Sequence, residues 1–388
     1  MKLFEYEAKE LLLKKGVPIP KGRVVESPEE IGGIAVELGT PVVIKAQVLT
    51  GGRGKSGLVQ FADNPEEAIK IAEEIFKKQI PAYAGKGRCI ERLLVEEKID
   101  ARREFYLSIT IDRDKGEFLV MASSEGGMEI EEIFRRSPKK ITVERIKSTS
   151  DFYPYKIRQL LQGIGFKGIS LNRLSDILWK LWTIFVDYDA EIVEVNPLVI
   201  SSQDKLYALD AKVILDDDAL YRHPELKFDL KKRIFNQLEI EGKYADINYV
   251  DLTGNICIMA NGAGLVLTLM DLINRGGERP ANFLDTGGGV SRDDTYNAMK
   301  LILKKSNCDC RIKVILFMLS LAISPPEDAA GGIVDALTEE EAKIPIIACC
   351  HGTGEEVAKK KLEEIGIKTS SSIEESVQLA LQLAKQKR

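Results

Sequence analysis

Histidine is scarce in this chain, and metal-type cysteine spacing is missing. Only two histidines occur among 388 residues, and none of the six cysteines forms a C-x-x-C pair. Cys308-x-Cys310 is at most half a metal site, because no second pair stands at zinc spacing, so a zinc centre is not expected. The cysteines fall mostly in strand-like segments, which fits a reducing, cytoplasmic setting. A strong excess of one charge is lacking too: 55 basic and 60 acidic residues give a net charge of −5. That balance offers no broad field for nucleic acid, which is set aside as a partner. Long apolar runs are also absent. The longest, Val314–Ile323, is about half of what a membrane span requires, so no membrane contact is expected. The opening MKLFEYEAKELLLKKG mixes charges into a helix-period pattern at Phe4, Ala8, Leu11 and Leu12 and reaches Gly16. It reads as a folded helix and not as a secretion signal.

What is present suffices for two or three domains, each with its own core. The stretch Glu191–Lys212, EIVEVNPLVISSQDKLYALDAK, reads as two strands joined by a polar turn, because apolar residues alternate on both sides of Ser201-Ser202-Gln203-Asp204. Alternation puts Glu194 and Asn196 on one face of the first strand, and Asp210 with Lys212 on one face of the second. A turn centred near Gln203 pairs Ile200 with Leu206 and, continuing that register, sets Asn196 opposite Asp210. An amide oxygen and a carboxylate suit a Mg²⁺ that carries nucleotide phosphates, since such an ion takes few protein ligands. A solvated face on an edge hairpin would show the same alternation.

Upstream, Pro41–Val48 reads as a strand with Val42, Ile44, Ala46 and Val48 on one face and Lys45 and Gln47 on the other. It runs into Thr50-Gly51-Gly52-Arg53-Gly54-Lys55-Ser56-Gly57, whose glycines leave backbone N–H groups free to approach an anion. Gly54-Lys55-Ser56 invites a P-loop reading, but that motif needs a glycine where Leu49 stands. A strand, Leu58–Phe61, follows where a P-loop requires a helix. The loop is therefore expected to join two antiparallel strands as a flap over phosphates, although glycine-rich hairpins often bind nothing. Leu93–Lys98, Glu104–Ile111 and Glu117–Ala122 read as further strands. Glu96 and Glu104, flanking a short charged turn, are solvated carboxylates or, beside a cleft, partners for a ribose.

Beyond Leu215 an acidic run and a stretch expected to be mainly helical, Pro224–Glu239, read as a connector between domains. Strand, glycine-containing loop and helix then recur at Ile256–Ala260, Ala281–Leu284, Lys313–Leu319 and Ile344–Cys349. Spacings of about thirty residues are those of βαβ units, so this half is expected to be a parallel sheet covered by helices. The fold class is α/β, partitioned at residues 1–238 and 239–388.

Taken in order, MKLFEYEAKELL, VVIKAQVLTGGRGKSG, LVEE, MASSEGGMEIE, EIVEVNPLVI, LDAK, NGAGL and NFLDTGGG closely resemble the β-subunit of succinyl-CoA ligase, across nearly the whole chain. The resemblance implies an ATP-grasp domain followed by a flavodoxin-like CoA-ligase domain. It implies Mg²⁺ at Asn196 and Asp210, and ATP or GTP, with their diphosphates, at Lys45, Gly52, Arg53, Gly54, Glu96, Ile99 and Glu104. It further implies an α-subunit partner that carries a phosphohistidine and the coenzyme A site, in an αβ or α₂β₂ assembly, with Glu194 meeting the histidine. A small dicarboxylic acid would contact Asn261 and the segment Ala322, Ile323, Ser324. That segment departs from the family pattern: Leu321 and Ala322 stand where the family has paired glycines. Side chains are therefore expected where backbone approaches a carboxylate, which points to succinate being used less well, or to malate or citrate instead. A non-catalytic nucleotide-binding scaffold is the reading from another class, and intact Lys45, Glu194, Asn196 and Asp210 argue against it.

Overall fold

Three separate apolar patterns in the sequence become the three larger sheets. In the computed structural model of the chain, residues 1–80, 88–128, 130–136, 138–230, 233–234 and 236–386 are described. The chain divides into two units that meet in sequence at Phe228 and Asp229.

In the first unit, a four-stranded antiparallel sheet runs in the order Gly22–Val25, Leu93–Glu97, Val42–Ala46, Val59–Ala62. Helices Glu29–Leu38 and Pro65–Lys77 pack on it, so that Val42, Ile44, Ala46 and Val48 meet Ile31, Ala35, Ile71 and Ile75 in one core. The second helix starts as its sequence demands: the Asn64 side chain accepts from the Glu67 N–H at 2.9 Å, and Pro65 occupies the first turn. A second antiparallel sheet sets Ala190–Ser201 beside Ala101–Asp112, with Glu117–Ser123 and Ile141–Ile146 beyond. Leu206–Ala208 and Ala211–Leu215 line the other edge of Ala190–Ser201. The helix Gly168–Asp187 covers this sheet with Leu174, Leu178, Leu181 and Phe185. The N-terminal helix Glu5–Lys14 adds Ala8, Leu11 and Leu12 to the same core.

In the second unit the strands lie in the order Asn282–Asp285, Ile256–Ala260, Val314–Leu321, Ile346–Gly352, Lys368–Ser370, all parallel. In chain order this is 2-1-3-4-5, the flavodoxin-type arrangement. Asn248–Asp251 adds an antiparallel edge strand. Apolar residues on both faces of the sheet supply two cores, one around Phe317 and Ile302, the other around Leu316 and Leu269.

The connector differs from its expectation. Among its described residues no α-helix appears between the short 3₁₀ turn Asp217–Arg222 and the helix Gln237–Tyr244. Lys231, Lys232 and Phe235 lie outside the described residues. Leu226 and Phe228 pack on the core of the first unit, whereas Leu238 packs on the core of the second. No helix among the described residues is long and apolar enough to cross a membrane.

Candidate functional site

The hairpin register fixes the first pair of functional groups. Ile200 pairs with Leu206 and Leu198 with Ala208, and the same register resumes at Val195 and Ala211. Between these pairs the Asn196 N–H donates to the Asp210 carbonyl at 3.3 Å, so the two residues oppose each other as the alternation predicts. The Asn196 amide oxygen accepts from the Gly127 N–H at 2.8 Å, and its nitrogen donates to the Met128 carbonyl at 2.8 Å. Gly127 has φ +74°, and a Cβ there would lie 2.6 Å from a Glu104 carboxylate oxygen. The positive φ favours glycine, and a larger residue would also displace the Glu104 carboxylate. The small-residue loop after Glu117–Ser123 thus brings Glu104 and Asn196 to one spot.

Two residues before Asn196, Glu194 accepts a hydrogen bond from the Tyr106 hydroxyl at 3.2 Å. Its strand neighbours are Ser108 on one side and Lys212 on the other. Burial pushes the Glu194 carboxyl up from its ordinary value, while Lys212 and the Tyr106 hydroxyl pull against the shift. A carboxylate so placed can accept a hydrogen bond from an imidazole N–H presented to this face.

Lys45 leaves the four-stranded sheet on its polar side and meets Glu5 at 2.9 Å and Glu96 at 2.8 Å; it also donates to the Leu209 carbonyl, next to Asp210. Lys9 joins the same two carboxylates, at 2.9 Å from Glu5 and 2.6 Å from Glu96. Arg53 reaches Glu5 at 2.6 Å, and one of its nitrogens spans both Asp210 oxygens at 2.8 Å. Lys9, Lys45 and Arg53 therefore face Glu5, Glu96 and Asp210, and the formal charges cancel. Burial alone would raise the Glu5 carboxyl, but Lys45, Lys9 and Arg53 outweigh it and hold it below the ordinary carboxylate range. Burial would lower Lys45 in the same way, and Glu5, Glu96 and Asp210 hold it above the ordinary ammonium range.

Arg53 belongs to the glycine-rich segment, which joins Val42–Ala46 to Val59–Ala62 as the expected antiparallel connection. A Cβ at Gly51, Gly52 or Gly54 would meet nothing within 4 Å, so their backbone is open to approach by a ligand. Ile99 lies half-buried in the turn between Leu93–Glu97 and Ala101–Asp112.

In the second unit, Asn261 follows the strand Ile256–Ala260, and Ser320 lies one residue before the end of the neighbouring strand Val314–Leu321. The Asn261 amide donates to the Ser320 carbonyl and accepts from its N–H, both at 2.7 Å. These strands flank the switch point of the 2-1-3-4-5 sheet, where ligands of such folds bind. The strand Val314–Leu321 runs further than the sequence suggested. Leu321 is 1% exposed and packs in the core, so its side chain does not enter this crevice, contrary to the expectation that it would. Ala322 is exposed, and Ile323 is 78% exposed, close enough to the glycine loop that a Cβ at Gly289 would lie 3.7 Å from it. Ser324 is buried, and its hydroxyl accepts from the Val290 N–H at 2.8 Å.

Family models described as ATP-grasp domain and CoA-ligase match residues 2–200 and 259–383. The succinate–CoA ligase [ADP-forming] subunit β of Ignicoccus hospitalis is 43% identical over 99% of this chain and 100% of that relative. The chain belongs to the succinate–CoA ligase β-subunit family. Another member, the [GDP-forming] subunit β of Thermus thermophilus, is 42% identical over 94% of this chain and 93% of its own. Similarity to this family therefore does not choose between adenine and guanine. Among solved structures, ATP citrate lyase from Methanothrix soehngenii, in complex with citrate and coenzyme A, matches with a TM-score of 0.81 at 23% identity. The match covers 98% of this chain and 99% of that one, a likeness of fold.

Reading the family's motifs along the sequence missed Glu5, Lys9 and Tyr106. Glu5 and Lys9 stand four apart on the helix face that also carries Ala8 and Leu12, so an opposite-charge pair inside an apolar stripe was the available signal.

Proposed function

We propose that the chain is the nucleotide- and acid-binding β-subunit of an NDP-forming succinate–CoA ligase. In this reading residues 1–238 bind MgATP or MgGTP and 239–388 contribute to the acid and CoA chemistry. The opposition of Asn196 and Asp210, two residues from Glu194 on one strand face and joined to Lys45 through Arg53 and Leu209, carries the reading. The donor set fits magnesium. It offers one amide oxygen and one carboxylate, and no group of three or more His, Cys, Asp or Glu that could hold a metal occurs among the described residues, so the remaining ligands would be phosphate oxygens and water. Magnesium held there supplies charge neutralisation for the nucleotide phosphates.

Arg53 and Lys45 have charges to offer those phosphates once Arg53 exchanges Asp210 for them. Gly52 and Gly54 offer backbone N–H groups, and Glu96, Ile99 and Glu104 line the nucleotide side. Glu194 accepts the N–H of a histidine on an α-subunit partner, fixing its tautomer and favouring the charge it gains on phosphorylation. In the second unit Asn261 anchors the crevice, and Ala322, Ile323 and Ser324 border the acid. The complex, αβ or α₂β₂, acts in the cytoplasm.

The test is reconstitution with an α-subunit, followed by phosphorylation of its histidine from MgATP and MgGTP. Asp210→Asn should lower that transfer by at least about 100-fold and raise the magnesium concentration needed. Unchanged turnover and metal dependence in Asp210→Asn would remove the site assignment.

A further inference from the structure

Six charges in the nucleotide region are spoken for: Lys9, Lys45 and Arg53 pair with Glu5, Glu96 and Asp210. A seventh is not. Lys212 is half-buried in the strand Ala211–Leu215, directly across from Glu194, and its ammonium forms no hydrogen bond or ion pair with the described residues. Alternation sets it on the same face as Asp210, about 7 Å further along the strand. Glu194 and Asn196 show the same offset on the neighbouring strand, so the four side chains form a two-by-two array. Asn196 and Asp210 make one end of it, Glu194 and Lys212 the other.

We propose that Lys212 is a catalytic residue that hydrogen-bonds the phosphoryl group in flight, between the nucleotide held at Asn196 and Asp210 and the partner histidine held by Glu194. This rests on the β-subunit reading above. An imidazole nitrogen lone pair forms the N–P bond, and the bond from the γ-phosphorus to the bridging oxygen breaks, leaving its electron pair on the nucleoside diphosphate. The ring keeps its other proton, which Glu194 accepts as a hydrogen bond, so no proton is released in the step. The moving group carries its charge on three non-bridging oxygens. A compact ammonium on a flexible stem can follow them across the gap between the two ends, whereas Lys45 and Arg53 are held by carboxylates at the nucleotide end. Because Lys212 meets the group chiefly as it moves, it contributes to the rate more than to nucleotide affinity.

The experiment uses the complex reconstituted with its α-subunit and compares the unmodified chain with Lys212→Met, Lys212→Gln and Lys212→Arg. Thermal midpoints establish that each variant folds, and Gln is judged in place of Met if Met does not. Single-turnover phosphorylation of the α-subunit from labelled MgATP should fall about 100-fold in the Met or Gln variant and recover about tenfold in Arg. Thermal stabilisation by MgATP and MgADP should yield dissociation constants within about threefold of the unmodified chain. A transfer rate within threefold of the unmodified chain overturns the proposal, as does an affinity loss as large as the rate loss. If the unmodified complex phosphorylates no histidine at all, the β-subunit reading fails first and takes this proposal with it.

Discussion

Glu5 is the residue on which the nucleotide region balances, since it touches Lys9, Lys45 and Arg53 while 4% exposed. Removing one partner from a buried ion network leaves the others uncompensated, at a cost of about 3–5 kcal/mol. Glu5→Gln keeps the volume and removes the charge. It should lower unfolding free energy by about 3 kcal/mol in denaturant titration and weaken nucleotide-dependent stabilisation, because Lys45 and Arg53 lose the carboxylate that aims them. The pH dependence has a definite sign. The folded-state value of Glu5 lies below its ordinary 4.5, so its contribution is present above that value and fades as pH falls beneath it. The gap between parent and Glu5→Gln should therefore narrow on acidification below pH 4.5 and stay level from there to neutrality. A gap independent of pH in the acid range would show that the charge is not what stabilises.

At the scale of elements, the sequence was legible wherever periodicity and turn chemistry agreed. Alternation around a polar turn gave the hairpin and its register, and a glycine loop followed by alternating residues gave the flap. Gly331-Gly332 lies within the helix Pro326–Glu339. There the glycine permits close packing on the helix Arg292–Cys308: a Cβ at Gly332 would fall 2.0 Å from the Arg292 carbonyl oxygen and 2.7 Å from the Tyr296 nitrogen. Gly332→Ala should cost about 1–3 kcal/mol or more. Gly51→Ala, in open space, should change stability by no more than about 0.5 kcal/mol. Equal midpoints for the two variants in thermal unfolding would contradict this packing. The fate of Leu321 was not legible, because strand length depends on what the partner strand offers, and Gly352 extends the pairing to Leu321. In the proposed reading Ile323, 78% exposed beside Gly289, is consequently the side chain that borders the acid. Ile323→Gly should raise turnover with succinate relative to malate and citrate by several fold, about 1 kcal/mol of discrimination. An unchanged ranking of acids across the reconstituted pair would shift the cause elsewhere in the crevice.

At the scale of the molecule, the order of motifs disclosed both halves and their family, but not where one unit stops. That limit depends on which core collects Phe228 and which collects Leu238, a matter of packing that local pattern does not carry. In the proposed reading the phosphoryl carrier belongs to the α-subunit and not to this chain. Of its two histidines, His223 is buried with its Nε2 2.8 Å from Asp189, and His351 is exposed in the second unit with Nδ1 3.7 Å from Glu355. Asp189 occupies the ring nitrogen of His223, which Arg222 further encloses by its own contact to Asp189 at 2.9 Å. His351 pairs with Ser320 one residue before the end of the strand Ile346–Gly352, in the second unit. The purified chain alone should therefore be stabilised by magnesium nucleotide yet form no acyl-CoA and retain no label from γ-labelled ATP. Adding an α-subunit should restore both. Acyl-CoA formation at normal rates by the isolated chain, or stable label on His223 or His351, would mean that the carrier lies within this chain and that Glu194 serves some other end.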